Sequence, residues 1–259
     1  MIKKEIDKFE ASDILEGMPS ISALIKGIQG IGNNRRIEKI LFDNSKVRSK
    51  ARELSFLRAK SYELGFEIEL LSADEIEKYT IGNTHGGIIA LCTSRTLPQL
   101  TEDNISPEGV YFILEGVEDP YNFGYAVRSL YAAGADGIIL GHRNWMGASG
   151  VVARSSAGAS EMMNMYVSEP VEAISTFKNK GYTIVCAGIR DSESIFETDL
   201  SSPLLVVLGG EKRGISRNIL DMADKIVRID YGSEFGGSLS TSAAAAVFGF
   251  EILRFNRQL

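Results

Sequence analysis

Three side chains, Asn122, Gly124 and Arg128, stand at one juncture in "ILEGVEDPYNFGYAVRSLYAAGADGIIL", from Ile113 to Leu140. An apolar strand runs into a loop there, a helix follows, and a second strand closes the stretch. Asn122 is placed to cap the helix, with Phe123 and Gly124 in its first turn. At ~100° per residue, Ala126, Val127, Leu130, Tyr131 and Ala133 share one apolar stripe, and Arg128 lies off it. Helical side chains lean towards the N-terminus, so the Arg128 guanidinium can reach back over the mouth beside Asn122. A helix N-terminus at the carboxyl end of a parallel strand is where α/β proteins usually bind ligands, and Gly124 would let a ligand or another backbone come close. An ordinary capped helix with a solvated arginine fits the same residues.

A second constellation is "PLLVVLGGEKRGIS", Pro203 to Ser216. A buried strand ends in Gly209 and Gly210, which expose backbone to a small ligand. Glu211 follows and could pair with Arg128 or hold a substrate hydroxyl. The spacing is not that of a phosphate loop, and the chain has no G-x-G-x-x-G dinucleotide fingerprint. That counts against a nucleotide- or sugar-binding enzyme. A third stretch, "VRIDYGSEFGGSLSTSAAAAVFGFEIL", brings Ser238, Ser240 and Ser242 to the start of an alanine-rich helix. Three hydroxyls exceed what capping needs, and the Ala243–Ala246 run permits close packing in a core or between subunits. "RSSAGASE", Arg154 to Glu161, is a weaker fourth element.

Two α/β rhythms carry these motifs. In the first, "RIEKILFD", "FEIELLS" and "GGIIALC" read as strands, with helices at "MPSISALIKGIQG", "SKVRSKARELSFLRAKSYELG" and "ADEIEKYT". "TSRTLPQLTEDNISPEG" has no periodicity and reads as a linker. From Val110, six apolar strands alternate with helices, which predicts a mainly parallel sheet covered on both faces. The expected organisation is residues 1–97, a linker at 98–109, and a second domain at 110–259.

Composition narrows the class. Hydrophobic residues make up 44% and charged residues 24%, which is enough apolar material for a sizeable core. No apolar run approaches the ~20 residues of a membrane span, and the charged N-terminus lacks a signal-peptide core, so the expectation is a cytoplasmic protein. Cys92 and Cys186 sit in apolar runs and read as buried thiols, and two distant histidines, His85 and His142, give a metal site no support. Net charge is −6, but residues 1–60 carry 13 Lys and Arg against 8 Asp and Glu. A basic first segment on an acidic body is the footprint of polyanion binding, or equally of a solvated helix face.

The order N-x-G-x-x-x-R, L-G-x-E-x-x-G, S-L-x-x-S-x-A, with "SSAGA" between the first two, resembles the motifs of the SpoU-type (TrmH family) RNA ribose 2′-O-methyltransferases of the SPOUT superfamily. The match runs from about Val110 to the end. The first segment, closing with "THGGIIA", is similar to an L7Ae-like substrate-binding domain. The resemblance implies an α/β domain with a C-terminal trefoil knot, a homodimer, S-adenosylmethionine as donor, and an RNA ribose 2′-hydroxyl as acceptor. It places Asn122, Arg128, Glu211, Ser238 and Ser240 in catalysis. It places Gly209, Gly210, Ile229, Leu239 and Ser238 around the donor. Two positions depart from the family pattern: Asp230 stands where proline is usual, and Ser240 where asparagine is.

Under that resemblance the basic segment would hold RNA phosphates through Arg35, Arg36, Lys46, Arg48, Lys50 and Arg52, with Arg128 at the ribose. The L7Ae-like unit favours ribosomal over transfer RNA. Loss of the motif-three asparagine keeps open a second reading, an RNA-binding or ribosome-associated protein with weak or no activity. The third is a nucleotide- or sugar-binding α/β enzyme, and for the first segment alone the bland alternative is a unit that only assists folding.

Overall fold

The computed structural model describes residues 13–80, 85–117, 119–141, 148–210 and 212–257. The chain divides into two compact units. Residues up to Thr96 together with Trp145–Met162 form the first, and Leu97–Asn144 with Met163–Leu259 form the second.

The first unit is a four-stranded sheet of order β1-β4-β2-β3, built from β1 (Ile14–Glu16), β2 (Ile37–Asp43), β3 (Glu67–Leu71) and β4 (Ile88–Cys92). Strands β2 and β3 run parallel, while β4 is antiparallel to both β1 and β2. Strand β4 is buried along its whole length, as its unbroken apolar run requires. Helix α1 (Gly17–Gly30) covers one face with Ile21, Leu24 and Ile25. Helix α2 (Ala51–Leu64) contributes Leu54 and Leu57 and ends at Gly65 in the left-handed conformation that its C-cap demands. The short α3 (Ala73–Glu77) opens with a Ser72–Glu75 capping box. Strand β1 escaped the sequence reading because three residues among interleaved charges carry no periodic signal.

Two short helices complete this unit: α5 (Ser149–Ser155) and α6 (Ala159–Met162), numbered in chain order after α4 below. The sequence reading put them in the second domain; here α6 packs on α1, and Ala153 of α5 joins the first core. A buried charge network fastens them. Arg35, 1% exposed, pairs with Glu161 at 3.4 Å and Asp13 at 3.6 Å and donates to Ser149 Oγ at 2.7 Å. Asn33 Nδ2 donates to the Glu161 carboxylate at 2.9 Å, and Arg95 donates to the Ser160 carbonyl at 2.6 Å. Buried charges persist only when paired and hydrogen-bonded in this way. Arg35 is therefore a structural residue, and its expected RNA contact is corrected: no phosphate can reach a guanidinium held inside the fold.

The second unit is a seven-stranded sheet of order β7-β6-β5-β10-β8-β11-β9, parallel at every pairing. Its strands are β5 (Val110–Glu115), β6 (Gly137–Leu140), β7 (Met165–Val167), β8 (Thr183–Ala187), β9 (Glu193–Ser194), β10 (Leu204–Gly209) and β11 (Lys225–Arg228). Helices α4 (Pro120–Ala132), α7 (Pro170–Asn179), α8 (Arg217–Leu220) and α9 (Thr241–Asn256) flank it, and α9 lies against α4 with Gly249 beside Leu130 and Ala133. The two-residue β9 lacked any signal in the sequence.

The polar stretch expected as a free linker is bonded down in the second unit. Leu100 N donates to the Val167 carbonyl at 2.9 Å, and Thr101 and Asn104 form a capping box. The Tyr111 hydroxyl donates to the Asn104 carbonyl, and the Tyr182 hydroxyl donates to that of Ser106 while accepting from Gly109 N. Burial pushes the Tyr182 hydroxyl up to about 12, so it stays a donor at neutral pH.

Candidate active site

Helix α4 starts one turn after β5. Its N-cap is Asp119, whose carboxylate accepts from Tyr121 N at 3.3 Å and Asn122 N at 3.1 Å, with Pro120 at the first helical position. Asn122 was expected as the cap and is instead the third residue of the helix. The cause is that Asp119 is an equally strong cap and precedes the proline. Asn122 is half-buried in the first turn. Arg128 is exposed, off the stripe of Ala126, Val127 and Leu130, as the helical period required. It forms no ion pair among the described residues.

At the carboxyl end of the neighbouring β10, the chain turns through Gly209 and Gly210. Gly214 N donates to the Gly210 carbonyl at 3.1 Å, closing a tight loop. A Cβ on Gly209 would stand 2.5 Å from the Gly214 carbonyl carbon, and one on Gly210 would stand 2.1 Å from the Gly116 carbonyl oxygen. Both positions need glycine because backbone approaches backbone there. Glu115, the last residue of β5, accepts from Ser216 N at 3.2 Å and Ser216 Oγ at 2.9 Å and anchors the far side of this loop. The sequence reading quoted Glu115 without assigning it this part. Glu211 lies outside the described residues.

Helix α9 begins where β10 ends. Buried Thr241 donates its hydroxyl to the Gly209 carbonyl at 2.9 Å, and Ser240 caps the helix by accepting from Ala243 N at 3.2 Å. The Ser240 hydroxyl is thus engaged at the helix start, where it also lies 3.0 Å from the Ser242 hydroxyl. Ser238 and Leu239 are exposed ahead of the cap, and Leu239 N donates to the Tyr231 hydroxyl at 3.2 Å.

Between these segments lies a cavity of about 790 Å³. Gly209, Gly210, Ile229, Ser238 and Leu239, all named from the sequence, line it, while Asn122, Arg128 and Ser240 do not. Ile215, Ala244 and Phe248 give it an apolar floor, and Arg190, Arg213 and Asp230 are charged members of its wall. Asp230 is tied on both oxygens, by the Ser194 hydroxyl and by Arg228 Nε at 2.8 Å. The Ser194 hydrogen bond, and after it Arg228, hold the Asp230 carboxyl below the usual carboxylate range. Arg228 also donates to the Ser192 carbonyl. Side chains thus link the exit of β11 to β9 and the loop before it, a tie with no spacing signal in the sequence.

This cavity sits at the carboxyl ends of parallel strands, where open α/β sheets place their ligands. Its size, apolar floor, backbone groups and guanidiniums fit a nucleoside joined to an amino acid. Among the described residues no cluster of His, Cys, Asp and Glu could hold a metal ion.

Comparison with known proteins agrees with this geometry. Residues 109–250 match the model of the SpoU rRNA Methylase family. The 23S rRNA (guanosine-2′-O-)-methyltransferase RlmB of Shewanella oneidensis is 30% identical over 254 residues, covering 95% of this chain and 98% of that protein. The putative TrmH family tRNA/rRNA methyltransferase YacO of Bacillus subtilis is 24% identical, covering 88% and 92%. Among solved structures, the SpoU methyltransferase AviRb of Streptomyces viridochromogenes has a TM-score of 0.76 at 19% identity over 98% of both chains. An AdoMet-bound rRNA methyltransferase from Sinorhizobium meliloti has a TM-score of 0.73 at 21% identity, covering 93% and 86%. At those identities the structures speak for the fold alone, a SPOUT α/β architecture. The model match and the RlmB relative together decide the wider question: this chain belongs to the SpoU rRNA methylase family.

Proposed function

We propose that this chain transfers a methyl group from S-adenosylmethionine to a ribose 2′-hydroxyl of RNA, with ribosomal RNA as the substrate and transfer RNA the second choice. The observation that carries the reading is the cavity at the end of β10. It is lined by residues of both the glycine motif and the serine motif of a methyltransferase family to which the chain belongs. Relatives named as 23S rRNA guanosine 2′-O-methyltransferases favour ribosomal RNA and a guanosine acceptor.

The donor is held by backbone at Gly209, Gly210, Ile229 and Leu239, with Ser238 at its edge. S-adenosylmethionine, when bound, supplies a methyl on a cationic sulfur that an alcohol oxygen displaces in line. The protein's part is to align the acceptor and favour loss of its proton. Arg128, beside Asn122, holds the phosphate next to the reacting ribose and stabilises the developing alkoxide; a guanidinium binds its proton too tightly to act as the base. Glu211, Ser238 and Ser240 complete the acceptor side.

The active form is a homodimer, supported by the aromatic residues that α4 and α9 leave exposed: Tyr121, Tyr125, Tyr131 and Phe250. The final helix lies in a trefoil knot, as family membership implies. The first unit is an L7Ae-like RNA-binding domain whose contacts come from Arg36, Lys46, Arg48, Lys50 and Arg52, none of them buried. The enzyme works in the cytoplasm without a metal ion. No helix among the described residues is long and apolar enough to cross a membrane.

Labelled S-adenosylmethionine and RNA from cells lacking this gene provide the test. Label should enter one size class of RNA, and Arg128→Ala should lower turnover about 10²-fold, the cost of one oxyanion-stabilising donor. Binding of S-adenosylhomocysteine without any label transfer would reject the reading in favour of a non-catalytic RNA binder, with Ser240 as the residue to explain.

A further inference from the structure

We infer that the outward face of α2 is a seat for unpaired RNA nucleotides, formed by two arginine–aromatic pairs on either side of a floor of small residues. The inference rests on the reading of this chain as an RNA methyltransferase and names a surface by which the first unit would take hold of its substrate.

The helix buries Leu54 and Leu57 against the sheet. At ~100° per residue, Arg58 and Tyr62 then fall on one edge of the solvent-facing arc and Arg52 and Phe56 on the other. Each pair is spaced i, i+4, so the two side chains of a pair are neighbours on the helix surface. Exposed Ser55 and Ala59 lie between the pairs. Tyr62 is 91% exposed and Phe56 38% exposed. Tyr62 therefore gains nothing from the core, and its ring is free to meet a ligand. None of the four side chains has a hydrogen bond or ion pair among the described residues.

The charge on this face is positive. Arg48 is exposed just before the helix, and Glu53 is half-buried. Glu63 is already engaged, 2.6 Å from Lys60 and accepting from Gln29 at 3.2 Å. The Lys60 contact holds its carboxyl below the usual range.

Rings beside guanidiniums, separated by small residues, match the alternation of base and phosphate in a single strand. Unstacked bases pack on aromatic side chains while cations take the phosphates. A duplex offers phosphates but hides its base faces, so it would use the arginines alone. A protein partner of apolar character would want the two rings contiguous and the cations absent.

The test uses the full chain and an rRNA fragment that it methylates, with oligouridine and a perfect RNA duplex as the two comparison ligands. Tyr62→Ala and Phe56→Ala should each weaken binding of the fragment and of oligouridine about tenfold. Duplex binding, S-adenosylhomocysteine binding, kcat and the thermal midpoint should not change. Tyr62→Trp should restore affinity, because any flat ring stacks. Arg52→Ala and Arg58→Ala should each reduce the slope of log affinity against log salt by about one, and the aromatic variants should leave that slope alone. Wild-type affinity in both alanine variants would overturn the inference, as would equal losses on single strand and duplex, or a loss that tryptophan fails to restore. Absence of RNA binding by the unaltered chain would instead sink the functional reading, and this inference with it.

Discussion

Arg35 and Arg36 are adjacent cations in a basic segment, yet one is sealed in the first core and the other faces solvent. The difference lies in alternation: Asn33, Arg35 and Ile37 are buried while Asn34, Arg36 and Glu38 are exposed, the period-two pattern of extended chain. That pattern was present in the sequence, but a polar residue on the apolar phase is read as surface until its partner is known. The partner, Glu161, is 126 positions away, beyond any local signal. Removing one member of a buried pair leaves the other charge uncompensated. Glu161→Ala should therefore cost about 3–5 kcal/mol, measured by denaturant unfolding, and Arg36→Ala roughly nothing. Asp230 makes the opposite case, a half-buried carboxylate whose partners give it a role. Its carboxyl is lowered by Ser194 and Arg228, so its stabilising effect is complete above the ordinary carboxylate range and fades as pH falls through its own lower value. Ser194→Ala should shift the acid limb of S-adenosylhomocysteine binding to higher pH. An unmoved limb would mean that Asp230 does not govern the cavity wall.

Elements were easier to read than their ends. The parallel strands of the second unit stood out as apolar runs, and α4 and α9 as periodic or alanine-rich stretches. The starts of those helices were harder, because Asp119, Asn122, Ser238, Ser240 and Ser242 are all good capping residues and sequence alone cannot rank them. The structure assigns the caps to Asp119 and Ser240. Asn122, Ser238 and Ser242, the other three candidates, are not the caps of these helices. Ser240→Ala should cost roughly 1 kcal/mol of stability, whereas Ser240→Asn, an equally good cap, should cost nothing measurable. Turnover by the asparagine variant that matches or exceeds the parent would show that this position serves both the helix and the site. At the glycine loop the demand is steric. An alanine at Gly210 drives its methyl into the Gly116 carbonyl, so the loop beside the cavity must shift and donor binding should fall even where the protein remains folded.

At the scale of the whole chain, the sequence reading failed where it assumed that order along the chain is order in space. Residues 1–97 were expected to form a domain by themselves. The structure instead returns α5 and α6 to the first unit after the chain has already built β5 and β6 of the second. Deleting the first 96 residues would strip Ala153 of its apolar neighbours, Glu161 of Asn33 and Arg35, and Ser160 of Arg95. The orphaned segment would connect β6 to β7 with an exposed apolar surface. Such a truncation should aggregate or melt at a lower temperature, so a loss of RNA binding in it would say little about where RNA binds. Charge reversal within the intact chain separates the two causes. Arg36, Arg48, Lys50 and Arg52 each changed to Glu should abolish RNA affinity at physiological salt while leaving S-adenosylhomocysteine binding and the thermal midpoint near their parent values. A reversed protein that still binds its substrate would place the RNA on the second unit alone and leave the first unit as scaffold. Its buried charges would then be there to keep a returning segment of chain in place.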